Sequence, residues 1–355
     1  MSVIGAYPRV GLRAPDSTEA LLHVCVSLIV IVLTVSAFAV WTPFGIAATF
    51  LLTLIVSNAL PAGVPVLIIC AFLYQNLVVT WYTPYIPDND TFDSLRGTNF
   101  VILMSAFGIF LAASFQHRVR ALVELRFWLL LSLVLCGTIT FYLALGIVHG
   151  QPKDAVVYFR NTITPLACFH IAVLAASLYP VDLRKSMLWL GAGAVVYGYL
   201  ELIFTMNFLS LFHGDLYIER SISRQIETGV WEKALQETGF VFRGLEDVMT
   251  TTFFNTPFFN DILPSVFRVG GPNFHPISYA YALSIISAWL LFKGRWLLPI
   301  AALPLLLVIG SKGATFLLLI ALAMRLIYSP SRAGFTLTAV IVLTLAWTTA
   351  AIGYG

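Results

Sequence analysis

Long apolar stretches alternate with short polar turns along almost the whole chain. A helix needs about 20 mostly apolar residues to cross the hydrocarbon core of a bilayer, and stretches of this kind recur from residue 19 to residue 352. The pattern predicts an all-α, polytopic integral membrane protein with about eleven transmembrane helices. The predicted spans are 19–41, 43–60, 62–82, 97–116, 127–148, 161–179, 186–206, 276–292, 296–310, 314–328 and 334–352.

Composition leads to the same class of protein. Of the 355 residues, 59% are hydrophobic and only 10% are charged, and the mean hydropathy is +0.90. A soluble domain has about 25% charged residues, so this chain has too few to cover a surface that faces water. The formal net charge of +3 indicates no nucleic-acid partner. The four cysteines lie in apolar stretches without CxxC spacing, which predicts small buried side chains rather than disulfides or metal ligands.

Basic residues in the short turns predict the orientation, because cytoplasmic loops are enriched in lysine and arginine. If the predicted spans alternate in direction, every basic cluster lies on one face of the membrane. The N-terminus is therefore predicted to be cytoplasmic, and segments 83–96, 149–160, 207–275 and 353–355 to face outward. The clusters are Arg9 and Arg13, then Arg118, Arg120 and Arg126, then Arg184 and Lys185, then Lys293 and Arg295, and finally Arg325 and Arg332.

The longest segment between spans, 207–275, is predicted to be more than a linker. Apolar and charged residues alternate along it in a way that predicts two short amphipathic helices lying on the membrane surface. A loop of this size over a helical bundle is a plausible lid for an outward-facing site. We therefore expect one membrane domain, residues 1–355, with this lid inserted between its helices.

Two glycine-containing turns stand at the outer ends of neighbouring predicted spans and carry basic residues. The first runs Arg268-Val-Gly-Gly-Pro-Asn-Phe-His-Pro276, and the second is Gly310-Ser-Lys-Gly313. Glycine lets the backbone approach a ligand closely, arginine offers a bidentate fork for phosphate and lysine a point charge. Together with Arg160 at the start of span 161–179, these turns predict an anion site at the lipid–water boundary. Snorkelling of each basic side chain towards the headgroups is the alternative.

The order of these pieces resembles the O-antigen ligase and O-antigen polymerase superfamily. An Arg-x-x-Gly turn with Asn and His-Pro is followed by a span, a basic cytoplasmic turn, another span and a Ser-Lys/Arg-Gly turn. The close match covers about 60 residues, while the many spans and the large outer loop agree over most of the remainder. The matching residues are Arg268, Gly271, Asn273, His275, Pro276, Ser311, Lys312 and Gly313, with Lys312 where the family usually has arginine.

The resemblance implies a glycan polymerase or ligase of a bacterial inner membrane, with its active site on the periplasmic face. The donor would be an undecaprenyl-diphosphate-linked oligosaccharide, and the acceptor another glycan or the lipid A core, without a metal or other cofactor. Fixed cations would stabilise the diphosphate leaving group. The candidates are Arg268, Arg160 and Lys312, supported by Arg220, Arg224 and Arg243 in the lid and by Gly271, Asn273 and Ser311 in the two turns.

The reaction also needs a base to deprotonate the acceptor hydroxyl. His275 is the nearest candidate, with a helix-cap or interfacial role as its alternative. Glu201 is the second candidate, although pairing with Arg160 or Arg268 is the interpretation that we favour, because a carboxylate within a span requires a partner. Ligases of the family carry a further histidine in a later outer loop that has no counterpart before Gly355, so we expect a shorter relative or a piece of one.

Two other functions are compatible with the sequence. A flippase or transporter for a lipid-linked glycan would also cross the membrane many times, but we find no internal repeat and few ionisable residues inside the spans. The cluster Asp88-Asn-Asp90-Thr-Phe-Asp93 has the oxygen-rich composition of a divalent-cation site and would suit a metal-dependent membrane glycosyltransferase. A solvated acidic loop is the interpretation that we favour for it.

Overall fold

The computed structural model describes residues 17–115, 123–150, 152–179, 181–227, 229, 232–233, 235–236, 249–251 and 265–327. Only the backbone is described at residues 123–124, 153, 224 and 327. The chain divides into two compact units, Met1–Ser186 and Met187–Gly355. Our prediction of a single membrane domain concerns how these units assemble and stays a prediction.

The described part of the first unit is built from helices. Apolar runs of membrane length become helices of this unit, as the bilayer-length rule predicts. In chain order they are α1 (Ser17–Val40), α2 (Thr42–Ala59), α3 (Val64–Tyr82), α4 (Asn89–Arg96), α5 (Thr98–Ala113), α6 (Val123–Val148) and α7 (Pro152–Leu178).

Helix α2 packs through a stripe of small residues. Gly45, Thr49, Thr53 and Ser57 recur at every fourth position and are its main buried residues. Helices in a membrane associate closely where small side chains let their backbones approach. A side chain at Gly45 would collide with the ring and the Cα of Phe38 in α1, so only glycine fits where α2 passes this residue.

A buried histidine joins three helices of the first unit. His170 in α7 is inaccessible to solvent, and its Nδ1 lies 3.1 Å from the Ser132 hydroxyl of α6. Its Nε2 lies 3.0 Å from the hydroxyl of Ser114, the residue that follows α5. A buried polar side chain is stable when its donors and acceptors are paired, so this histidine holds α5, α6 and α7 together.

The acidic cluster considered as a cation site begins a short amphipathic helix. Asp88 is the N-cap of α4 and accepts hydrogen bonds from the backbone N–H and the hydroxyl of Thr91, at 2.7 and 3.0 Å. Phe92 and Leu95, further along α4, are fully buried. No group of three His, Cys, Asp or Glu side chains capable of holding a metal occurs among the described residues. The geometry of this cluster is therefore that of a capped helix.

The described part of the second unit contains five helices and one short strand pair. Most of α8 belongs to it, since the division between the units falls after Ser186. The helices are α8 (Arg184–Leu211), α9 (Gly214–Glu227), α10 (Pro276–Phe292), α11 (Leu297–Ile309) and α12 (Lys312–Ile327). The strands are β1 (Thr250–Thr251) and β2 (Val266–Phe267), which pair antiparallel.

Residue pairs along α8 define the directions of its neighbours. Gly191 lies against Ile286 of α10 and Leu298 of α11, while Gly198, two turns later, lies against Tyr279 and Leu305. Residue numbers fall along α10 and rise along α11 as α8 advances, so α8 is antiparallel to α10 and parallel to α11.

Short turns after α10 and α11 make α12 parallel to α10. The Ser284 hydroxyl donates to the carbonyl of Ala314 at 2.7 Å, and a side chain at Gly313 would collide with the hydroxyl of Tyr281. The N-termini of α10 and α12 consequently lie at the same end of the second unit, where α8 ends.

Helices occupy every predicted span from 19–41 to 314–328, but the predicted total of eleven spans is not confirmed. Within the described residues, six helices are long and apolar enough to cross a membrane, or seven if the bent pair α4–α5 is counted as one. The 17 residues of α10, the 13 of α11 and the 16 of α12 fall short of the usual length. The span predicted at 334–352 lies outside the described residues. These apolar helices support a multi-pass membrane protein.

The described part of the predicted lid segment contains one amphipathic helix. Helical residues of α8 run to Leu211, but the non-helical backbone of Thr205 breaks the helix next to the predicted span end at residue 206. Helix α9 follows, with Tyr217, Ile218 and Ile222 buried and Glu219 and Ser223 exposed. The second predicted amphipathic helix and most of the rest of the loop lie outside the described residues.

Candidate functional site

The glycine turn before α10 has a closely specified backbone. It leaves strand β2 at Arg268, whose N–H donates to the carbonyl of Met249 at 2.7 Å. Gly270 is right-handed, with φ −87° and ψ −22°, and Gly271 follows with φ +65°. An αR residue followed by one with positive φ aims successive N–H groups to one side and forms an anion-binding nest. A side chain at Gly271 would also collide with the ring of Tyr279.

The anion in this nest is the carboxylate of Glu201. Its Oε1 accepts the N–H of Gly270 at 2.8 Å, and its Oε2 accepts the N–H of Gly271 at 2.7 Å. The Glu201 side chain has no solvent exposure, and it ends the face of α8 formed by Gly191, Ala194 and Gly198. The hydrogen bonds found for Glu201 among the described residues go to these two backbone amides and not to the guanidinium of Arg268. The favoured pairing with Arg268 is therefore not found, and the pairing with Arg160 stays a prediction.

Arg268 begins this turn, and its positively charged guanidinium is only partly exposed to solvent. The side chain is half-buried, and its Nε is shielded from solvent without a hydrogen-bond partner in the described part of the chain. Desolvation lowers the pKa of Arg268 from its ordinary value, but arginine stays charged in proteins. A buried donor without an acceptor is destabilising, so the geometry favours a ligand that brings an anionic oxygen.

A second basic residue stands at the same end of the unit. Lys312 is the first residue of α12 and is exposed. Helix N-termini carry partial positive charge and favour acidic residues, so a lysine in the first turn works against the helix unless an anion lies nearby. Gly313, the second residue of α12, lies against the hydroxyl of Tyr281, the sixth residue of α10. The N-termini of α10 and α12 are therefore offset by about 6 Å along the helix axes.

His275 is exposed and is the N-cap of α10. Its Nδ1 accepts the backbone N–H of Ser278 at 3.2 Å and lies 2.9 Å from the Ser278 hydroxyl. The capping alternative raised by the sequence therefore has direct geometric support. Of the other motif residues, Asn273 is half-buried in the 3-10 turn that leads to His275, and the half-buried Ser311 precedes Lys312.

The other arginines predicted to bind the diphosphate lie in different parts of the chain. Arg160 is exposed in α7 of the first unit, and because α7 begins at Pro152, it lies two turns inside a helix instead of at its start. Arg220 is half-buried in α9. The side chain of Arg224 and the whole of Arg243 lie outside the described residues, so their predicted role in the lid stays a prediction.

Sequence reasoning missed the aromatic side chains that support this turn. Tyr279 is fully buried, and its hydroxyl donates to the carbonyl of Ala194 at 2.7 Å. Phe274, with φ +53°, packs against Tyr197 of α8 and Tyr217 of α9, with ring centroids 6.4 and 5.4 Å apart. The recurrence of small residues in α8 was the available signal, since it marks the face on which a large side chain packs.

No protein-family model matches the chain, and comparisons with curated proteins and with solved structures found no match. The chemistry of the site is therefore argued from its own geometry, and the resemblance drawn from the two basic turns stays a prediction.

Proposed function

We propose that this chain is a glycan polymerase or ligase that transfers an oligosaccharide from undecaprenyl diphosphate to an acceptor hydroxyl. The observation that carries the proposal is Arg268, a half-buried cation on a glycine turn whose Nε has no partner among the described residues. Lys312 adds a second cation at the N-terminus of α12, at the same end of the unit. A diphosphate would provide negative oxygens for both side chains.

The proposed chemistry uses these cations on the leaving group. The acceptor oxygen attacks the anomeric carbon of the donor, the bond from that carbon to the diphosphate breaks, and the acceptor proton passes to a base. Charge develops on the departing diphosphate, and fixed cations in a poorly solvated site stabilise it more strongly than water does. The multi-pass helices hold the lipid part of the donor in the bilayer, with the reaction at the outer boundary of a bacterial inner membrane.

Capping by His275 conflicts with its use as the base. A neutral imidazole has one nitrogen that accepts and one that donates, and Nδ1 already accepts from Ser278. Proton transfer to Nε2 would require the opposite tautomer, in which Nδ1 carries the proton and the N–H of Ser278 loses its acceptor. We therefore propose His275 first as the residue that orients the start of α10.

The proposal is tested by reconstituting the purified protein with undecaprenyl-diphosphate-linked oligosaccharide in EDTA. We expect longer glycans and free undecaprenyl diphosphate from the natural protein, and a rate roughly 10²–10³ lower for Arg268→Ala, as for loss of one transition-state donor. Arg295→Ala is the matched control, because Arg295 is exposed at the opposite end of α10. An untouched donor with natural protein refutes the transferase proposal.

A flippase for the same lipid-linked glycan is the second candidate, and one feature favours it. Thr205 has φ 46° and ψ −124° inside α8, which interrupts a membrane-length helix one turn after Glu201. Transporters build substrate sites from such discontinuous helices. Movement of labelled donor lipid between leaflets without any change to its glycan would establish this function in place of the transferase.

A metal-dependent glycosyltransferase that uses Asp88 and Asp90 is a weaker candidate. The Asp88 carboxylate is occupied in capping α4, and its capping partner Thr91 lies on the same helix. Loss of transfer in EDTA, with recovery on adding Mg²⁺ or Mn²⁺, would favour this mechanism over one that relies on arginine.

A further inference from the structure

Glu201 connects the middle of α8 to a turn about 70 residues later in the chain. Its two carboxylate oxygens fill the nest formed by the N–H groups of Gly270 and Gly271, at 2.8 and 2.7 Å. The side chain is fully buried. A carboxylate with this geometry satisfies two backbone donors that would otherwise be left unpaired in an apolar setting.

The same turn is fixed on its other side. The N–H of Arg268 donates to the carbonyl of Met249 at 2.7 Å, so the backbone is anchored both at Arg268 and two residues after it. Gly271 lies against Tyr279, which is itself hydrogen-bonded to the carbonyl of Ala194. Arg268 is thus presented from a backbone with little freedom, and a ligand that binds it loses less conformational entropy.

We propose that Glu201 is the positioning residue for Arg268: by filling the Gly270–Gly271 nest, it fixes the turn that presents the guanidinium to the diphosphate of a lipid-linked substrate. The identity of this anion rests on the function proposed above. Glu201 does not itself contact the substrate, because both of its oxygens are engaged and its side chain is shielded from solvent.

Glutamine at position 201 tests whether the two carboxylate oxygens are needed as hydrogen-bond acceptors, because it keeps the shape of the side chain and removes one of them. A carboxamide has nearly the same size, but it presents one oxygen and one NH₂ group. One of the two glycine amides would then face a donor instead of an acceptor, and the turn would loosen around Arg268. Aspartate keeps the two oxygens but is one methylene shorter, so it reaches the nest less well.

The test measures binding of farnesyl diphosphate to the full chain in nanodiscs, which requires no glycan transfer. We expect Glu201→Gln to weaken binding about tenfold and Glu201→Asp to weaken it less. The double variant Glu201→Gln/Arg268→Ala should bind no more weakly than Arg268→Ala alone, because Glu201 acts through Arg268. Glu219→Gln, which makes the same charge change at an exposed position of α9, should bind as the natural protein does.

Hydrogen exchange measured by mass spectrometry reports directly on the turn that Glu201 binds. Peptides that cover residues 268–275 should exchange faster in Glu201→Gln than in the natural protein or in Glu219→Gln, while peptides from α11 should be unchanged. This local pattern distinguishes loss of the hydrogen bonds to Glu201 from general destabilisation of the second unit. General destabilisation would raise exchange both at residues 268–275 and in α11.

The results of these experiments either support or overturn the positioning role of Glu201. Natural affinity in Glu201→Gln, additive losses in the double variant, or unchanged exchange at 268–275 would each overturn it, as would failure of the natural protein to bind farnesyl diphosphate. If Glu201→Gln does not fold, Glu201→Asp carries the same comparison. A natural protein that binds the probe through Glu201 and Arg268 but transfers no glycan would refute the proposed function and support the positioning role.

Discussion

Replacing His275 by asparagine or by alanine separates helix capping from proton transfer. The Nδ1 of His275 accepts the N–H of Ser278 at 3.2 Å at the start of α10. Asparagine is among the best N-cap residues, whereas alanine provides no acceptor. Asparagine has no basic nitrogen, so His275→Asn keeps the cap and removes any base.

The two roles predict effects of different size. Loss of an N-cap destabilises a protein by about 1 kcal/mol, which lowers the melting temperature by roughly 2–4 °C in a unit of this size. Loss of a general base lowers the rate by roughly 10²–10⁴. The tautomer in which Nδ1 accepts from Ser278 has its proton on Nε2 and leaves no ring nitrogen to take up another. We therefore expect His275→Asn to match the natural protein in melting temperature and to transfer glycan within about twofold of its rate.

The measurements are glycan transfer in proteoliposomes and thermal unfolding in detergent, followed through the eight tryptophans. His275→Ala should unfold at a lower temperature than His275→Asn, with its rate reduced only as far as α10 is frayed. A loss of more than about 100-fold in His275→Asn, at unchanged melting temperature, would show that His275 is the base. A His275→Ala variant as stable as the natural protein would refute the capping argument.

Two further substitutions test the turn and the acidic cluster. Gly271→Ala should destabilise the protein by about 2–5 kcal/mol in thermal unfolding, since it combines a left-handed residue with a collision against Tyr279. Gly294→Ala also has a positive φ but open space around it, so it should lose only about 1–2 kcal/mol; equal losses would contradict the packing argument. Asp88→Asn should keep natural activity in EDTA because it preserves the cap of α4. Inactive Asp88→Asn, with activity of the natural protein restored by Mg²⁺, would instead indicate a metal site.

The helix bounds that the sequence predicts most closely are those set by the length of an apolar run. Long apolar runs placed the helices within a few residues at most ends, because a membrane-length run leaves the backbone no alternative to internal hydrogen bonding. The start of α7 was misjudged by nine residues: polar residues before Arg160 lower the hydropathy, yet they continue the helix from Pro152. A solvated acidic loop was the favoured prediction at Asp88, but the structure shows the N-cap of α4 there. An aspartate followed by a short amphipathic run is the helix-start signal that could have predicted it.

The amino-acid sequence alone predicts a multi-pass membrane protein, the positions of its apolar helices and the turns that carry Arg268 and Lys312. These depend on the length of apolar runs and on residues adjacent in the chain, which act at short range. The hydrogen bonds from the amides of Gly270 and Gly271 to Glu201 become visible only in the folded chain. A carboxylate within a span requires a hydrogen-bond or ion-pair partner. The sequence contains several donors that could serve equally well, and the packing of α8 against α10 determines which of them lies within reach.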